Sequence, residues 1–192
     1  MALMGLPSGS NGNDDIKPRI EFDAKAGMWS RVDRSQDASG MWSSSKVEME
    51  KGDMFIMDLA NIEVGWIAFG GGGAPDFKMV PNGTSVGPKP SDAHKAGFRV
   101  PVLLPREEGS RVFASTAKAA ISGMDEIHTA AEAADEFRAG QVPVVKIAGR
   151  KVIETKTPQG TLRNFAPMLE IVKWVDRPAP LATAQRREPA FA

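Results

Sequence analysis

Apolar and polar positions alternate at a period of two along most of the chain, and one stretch alone shifts to a helical period. Arg19-Ile20-Glu21-Phe22-Asp23 alternates strictly and predicts a strand. Met28–Arg34 continues the pattern less regularly, and 35–45, rich in Ser, Asp and Gly around Trp42, reads as loop. Met54–Ala60 sets Phe55, Met57 and Leu59 against Asp58. Ile62–Phe69 carries Ile62, Val64 and Trp66 on one side and Ile67 and Phe69 on the other, as expected of a strand buried on both faces or holding a ligand on one. Strand character returns at Phe98–Leu104 and Arg111–Thr116.

The helical stretch is 119–139, with Met124, Ile127, Ala131 and Ala134 at helical spacing and Phe137 near its end. Gly140 supplies the stop signal and Pro143 forbids continuation. Beyond it, Val142–Ala148, a Gly149-Arg150 turn, Lys151–Thr157, a Thr157-Pro158-Gln159-Gly160 turn and Leu169–Val175 predict a β-meander. A doubly wound fold needs a helix after nearly every strand. Strands, one late helix and more strands predict instead a mainly β fold: an OB-fold-like five-stranded antiparallel barrel, with its helix at about 119–139 before the last strands.

The small, polar, Gly-rich segment 1–15 is expected to be disordered, 16–178 to form a single domain, and 179–192 to be a flexible C-terminal tail. Between the strands, Gly70–Gly97 holds seven glycines and four prolines in 28 residues, which predicts a long, mobile or functional loop. Its tetraglycine, Gly70–Gly73, is followed by neither Gly-Lys-Ser/Thr nor a helix start, so a hinge or hairpin tip is expected rather than a phosphate loop.

Composition narrows the chemistry. The 192 residues include no cysteine, which excludes disulfides, thiolate zinc sites and Cys nucleophiles. His94 and His128 are the only histidines and neither sits at metal-ligand spacing, so no metal or cofactor is expected. Asp125 with Glu126 and Asp135 with Glu136 are adjacent pairs that read as a solvated helix face, and no Gly-x-Ser-x-Gly elbow is present. A non-catalytic protein is expected. No apolar run approaches the roughly 20 residues of a membrane span. The opening Met-Ala-Leu-Met-Gly-Leu-Pro lacks a basic start and a long apolar stretch, so a cytoplasmic protein is expected.

Formal charge is balanced, 24 Lys+Arg against 24 Asp+Glu, but unevenly spread. The helix carries Asp125, Glu126, Glu132, Asp135 and Glu136 against Arg138, whereas 142–178 carries seven bases against three acids. Bases also stand beside aromatic residues: Trp29 near Arg31 and Arg34, Phe77 beside Lys78, Phe98 beside Arg99, and Phe165 near Arg163. Rings that stack bases along a cationic track suit single-stranded nucleic acid. The opposing reading is that strand aromatics lie in the core while the neighbouring base faces solvent at period two. Trp66 is expected in the core, and Phe113, Phe165 and Trp174 stay open between the two. Trp29 and Trp42, in polar surroundings, and Phe77, in the loop, are expected to be exposed.

The run Gly149–Pro178 resembles the closing strands of single-stranded-DNA-binding proteins of tailed phages, and Gly97–Pro105 and Met57–Ile62 add to the likeness. The resemblance implies an OB-fold that coats single strands during phage DNA replication or recombination, without catalysis and largely without sequence preference, in the host cytoplasm. Such proteins often end in an acidic tail that recruits replication or recombination proteins. Here Thr183–Ala192 has two arginines and one glutamate, a departure from that acidic pattern, while replication or recombination proteins stay among the expected partners. On the residue reading, Arg31, Arg34, Lys78, Lys146, Lys151, Lys156 and Arg163 contact phosphates, while Trp29, Trp42, Phe69 and Phe77 stack bases. The expected partner is single-stranded DNA, with homo-oligomers also considered. The rival expectation is a phage structural or assembly protein whose β-rich domain orders against neighbouring subunits.

Overall fold

The computed structural model describes residues 18–70, 75–107 and 109–184. Ten strands are present among them: β1 (Arg19–Asp23), β2 (Met28–Gln36), β3 (Trp42–Met49), β4 (Met54–Met57), β5 (Glu63–Ala68), β6 (Asp76–Pro81), β7 (Lys95–Leu103), β8 (Arg111–Ser115), β9 (Val142–Thr157) and β10 (Gly160–Val175). The helices are α1 (Lys118–Glu132), α2 (Asp135–Arg138) and α3 (Ala179–Ala184), with one 3-10 turn at Leu59–Asn61. Strand makes up 52% of the structure and helix 16%, so the fold is mainly β, and its sheet curls into a half-barrel.

The expected five-stranded barrel is corrected to one ten-stranded sheet of order β10-β9-β4-β7-β8-β1-β2-β3, with β5 between β7 and β6. Only β1 and β8 run parallel; every other neighbouring pair is antiparallel. The strands not expected from the sequence are β3 and β6, and β4 and β5, separated by the 3-10 turn, share one edge of β7. β5 pairs with the first half of β7, Glu63 opposite Arg99, and β4 takes the same edge further on, Met57 opposite Val102.

The period-two pattern sets the core. Trp29 is 3% exposed and packs its indole 4.9 Å from Phe113, 5.1 Å from Phe22 and 5.9 Å from Phe55. Phe98 closes edge-on against Phe113 at 5.1 Å, and Val100, Val102, Val145 and Ile147 complete this side of the sheet. Helix α1 lays Ala120, Met124, Ile127 and Ala131 into the same core. It lies close to β10: an ideal Cβ at Gly123 would stand 2.5 Å from the Pro167 carbonyl oxygen.

Several boundaries differ from the sequence expectation. The helix over 119–139 breaks at Ala134, whose extended backbone (φ −88°, ψ 142°) re-aims α2 so that Phe137 meets Trp174 at 6.3 Å. Gly140, at φ 86°, ends it as expected. The loop assigned to 35–45 is largely strand, because β2 and β3 form a hairpin with Asp37 at its turn. β9 runs unbroken through Gly149-Arg150, paired with β10, where a register shift between Met168 and Leu169 absorbs the irregularity. The stretch 70–97 contains all of β6 and the start of β7. In the expected tail, 179–184 form α3, whose Leu181 is fully buried. Segment 1–15, most of the tetraglycine and 185–192 lie outside the described residues. No helix among the described residues is long and apolar enough to cross a membrane.

Candidate nucleic-acid interface

Among the described residues the most exposed ring, Phe69, follows directly on β5, which lies between β6 and β7. Register pairs Ile67 with Phe77 and with Lys95, and Glu63 with Arg99, so these side chains share one face of the β6-β5-β7 ribbon. Ile67 is sealed beneath, and Phe69 emerges one step past the strand with 52% of its surface exposed. Its ring stands edge-on to half-buried Phe77 at 6.4 Å, and the Arg99 guanidinium lies 4.9 Å over the Phe77 ring. Glu63 fixes that guanidinium, with contacts of 2.7 Å to Nε and 2.6 Å to a terminal nitrogen. The arrangement offers an aromatic step with a cation alongside, suited to a planar, negatively charged ligand.

The opposite face of the ribbon carries Trp66, Asp76 and Lys78, and here the Gly/Pro-rich segment is tied down. The Trp66 Nε1–H donates to the Gly87 carbonyl across 2.8 Å, so this half-buried ring is fixed by the loop. His94, 6% exposed, bridges the loop to β6: Nε2 lies 3.1 Å from Asp76 Oδ2, and Nδ1 lies 2.8 Å from Ser91 Oγ. Lys78 also reaches Asp76 at 3.1 Å, and its hydrogen bond holds the Asp76 carboxyl below its usual value. Ser91 and His94 belong to one turn, closed by the His94 N–H to the Ser91 carbonyl at 3.1 Å. The Ser-His-Asp chain therefore anchors the loop. Among the described residues no group of three or more His, Asp or Glu side chains forms a cation site.

A second basic element is the outer half of the β9–β10 hairpin. Lys156 pairs with Thr161, Glu154 with Arg163, and Val152 with Phe165 along one face. Arg150, Lys151, Lys156 and Arg163 outnumber the single acid Glu154, and all four are exposed. Phe165 is held between Arg150 at 4.7 Å and Arg163 at 5.7 Å.

The residues expected to contact nucleic acid thus fall into separate groups. Trp29 is corrected: it is a core ring, because period two turns it inward with Phe22 while Arg31 sits farther along β2, 3.2 Å from Asp33. Arg34 lies on the other face of β2, and the Trp42 side chain falls outside those described. Lys146 is engaged by Glu170 at 2.8 Å and Lys151 reaches Glu126 of α1 at 3.6 Å. Phe69 and Phe77 come together, with Lys78 on the reverse side of the same ribbon, and Lys156 and Arg163 share the arm. Arg99 and Lys95 complete the aromatic patch and were not among the expected residues. Arg99 stands next to Phe98 in sequence, but it stacks across the ribbon on Phe77, a relationship only strand register reveals. Comparison with protein-family models, curated proteins and solved structures finds no match to this chain.

Proposed function

We propose that the protein binds single-stranded DNA without catalysis, in the role that the resemblance to tailed-phage proteins implies, replication or recombination. The observation that carries this reading is the Phe69–Phe77 step with Arg99 over it, an exposed aromatic edge beside a fixed cation. Bases stack on Phe69 and Phe77, Lys95 and Arg99 meet the adjoining phosphates, and the exposed cations of the β9–β10 arm engage further backbone. Every base has a π-face, so such stacking is tolerant of sequence. The acidic face of α1 takes no part.

The test is fluorescence anisotropy of a dye-labelled oligo(dT) titrated with the protein over a series of salt concentrations, with unlabelled duplex as competitor. The expected result is saturable binding that weakens linearly with log salt and resists duplex competition. Absence of binding at low salt, or equal displacement by duplex, overturns the reading.

A further inference from the structure

We infer that β3 is a self-association edge: two copies of this chain join their sheets by antiparallel pairing of β3 with β3, centred on Val47. The strand closes one end of the sheet order, with β2 on one side and no partner on the other among the described residues. The other two edge strands are each interrupted, β10 by Pro167 at mid-length as well as by the contact that follows. The Phe165 N–H of β10 is taken by the Ala24 carbonyl of the β1–β2 turn, and β6 is six residues long and ends in proline. By contrast, β3 runs eight residues, and Ser43 through Glu48 are exposed.

The hairpin fixes which backbone groups face outward. The Asp37 N–H donates to the Met41 carbonyl at 3.0 Å, so these two form a hydrogen-bonded pair. Register continues without a shift through Ser35–Ser43, Asp33–Ser45 and Arg31–Val47, and hydrogen-bonded and non-bonded pairs alternate. The N–H and C=O groups of Ser44, Lys46 and Glu48 therefore point to the open edge. A two-fold axis through Val47 pairs Lys46 with Glu48 of the second copy, and Glu48 with its Lys46, both as hydrogen-bonded pairs. It also lays the two Val47 side chains, each 41% exposed, against each other in a non-bonded pair. Backbone donors, opposite charges and apolar surface are thus self-complementary in the one register. Centring on Lys46 instead would set the two lysines against each other. A single strand pair is a small interface beside the about 1,000 Å² of a stable one, so association is reversible and depends on concentration.

The absence of cysteine makes the register testable directly. Val47→Cys and Ser45→Cys each supply the only thiol in the full-length chain, and both are oxidised with copper-phenanthroline at matched concentrations. Opposed Val47 positions lie about 4.5 Å apart between Cα atoms, within disulfide reach, whereas Ser45 is four residues out of register with its copy, about 13 Å. The expected result is a disulfide dimer for Val47→Cys that forms at least tenfold faster than for Ser45→Cys. In sedimentation velocity, Glu48→Lys raises the dimer dissociation constant about tenfold by facing lysine with lysine, and adding Lys46→Glu to it restores pairing. Lys46 also reaches Glu21 at 3.0 Å, so thermal unfolding confirms that the double variant is folded. A protein that stays monomeric at high concentration, or that cross-links at Ser45 as fast as at Val47, overturns the inference.

Discussion

The Phe165 N–H donates to the Ala24 carbonyl across 2.7 Å, and this bond brings the β1–β2 turn onto the free side of β10. Elements near opposite ends of the described chain thereby meet. Two further contacts reinforce the junction. The Arg150 guanidinium donates to the Ala26 carbonyl at 2.6 Å while lying over Phe165, and Asp23 accepts the Lys25 and Ala26 N–H groups within the turn. Those backbone bonds hold the Asp23 carboxyl below its usual value.

Gly27 is the position on which this junction is most sensitive. Its φ of 69° lies in the left-handed region, and a Cβ there would stand 2.5 Å from Arg150 Cδ and 2.7 Å from Phe165 Cγ. Gly27→Ala is expected to cost about 2 kcal/mol, combining backbone strain with the forced retreat of both side chains. Urea denaturation measures it. Gly27→Ala in an Arg150→Ala background should cost less, since half the clash is gone.

Gly123 sets two effects of similar size against each other. Alanine is better by about 1 kcal/mol in a helix interior. Its Cβ would, however, press on the Pro167 carbonyl at 2.5 Å and on the ring carbons at 2.7 and 2.8 Å. Backbone and a rigid ring cannot swing aside, so overpacking of about 1–3 kcal/mol prevails. Gly123→Ala is expected to lower the unfolding midpoint, and a rise would mean that α1 lifts freely from β10.

The ion pair between Asp58 and Arg177 fastens the β4–β5 corner to the segment leading into α3. Asp58 is fully buried, accepts from Arg177 at 3.0 Å and from Asn61 Nδ2 at 2.7 Å, and donates its N–H to the Pro101 carbonyl. Burial lifts its carboxyl above the ordinary 3.8, outweighing the hydrogen bond from Asn61 and the charge of Arg177. A carboxyl raised in the folded state favours folding most below its unfolded value and loses that contribution as pH rises through its folded value. Arg177→Met removes the compensating charge and raises the carboxyl further. Its cost is therefore expected to be largest near neutrality, about 3–5 kcal/mol, and to shrink on acidification toward pH 5. Asp58→Asn combined with Arg177→Met should recover much of the loss. Unfolding curves at both pH values check the direction, and a cost that does not vary with pH would remove Asp58 as its source.

What was legible in the sequence follows from which interactions are local. β1, β8 and the helix-ending Gly140 read directly, because alternation and a positive φ are properties of neighbouring residues. β3 was hidden because Ser43, Ser44 and Ser45 have no apolar period of their own and owe their extension to pairing with β2. Trp29 misled for a related reason: the polar residues beside it in sequence say nothing of Phe22, Phe55 and Phe113, which enclose its ring from other strands. Phe69 and Phe77 were among the expected stacking residues, but Arg99, the cation that completes their patch, reaches it only through register across β5.

Trp29 and Phe69, both expected from the sequence to stack bases, predict opposite phenotypes. Phe69 is half exposed and touches one other ring, so Phe69→Ala should leave the unfolding transition nearly unchanged. If bases stack there, losing one ring costs about 1–3 kcal/mol of oligo(dT) affinity, and the salt slope, which counts phosphate contacts, is preserved. Lys156→Glu with Arg163→Glu should do the reverse, flattening the salt slope while the aromatic step remains. Trp29→Ala instead empties the centre of a four-ring cluster and is expected to cost about 3–5 kcal/mol of stability. Its effect on binding should follow the folded fraction alone. Oligo(dT) affinity unaltered by Phe69→Ala would remove the aromatic patch from the interface, leaving the basic arm as the remaining candidate.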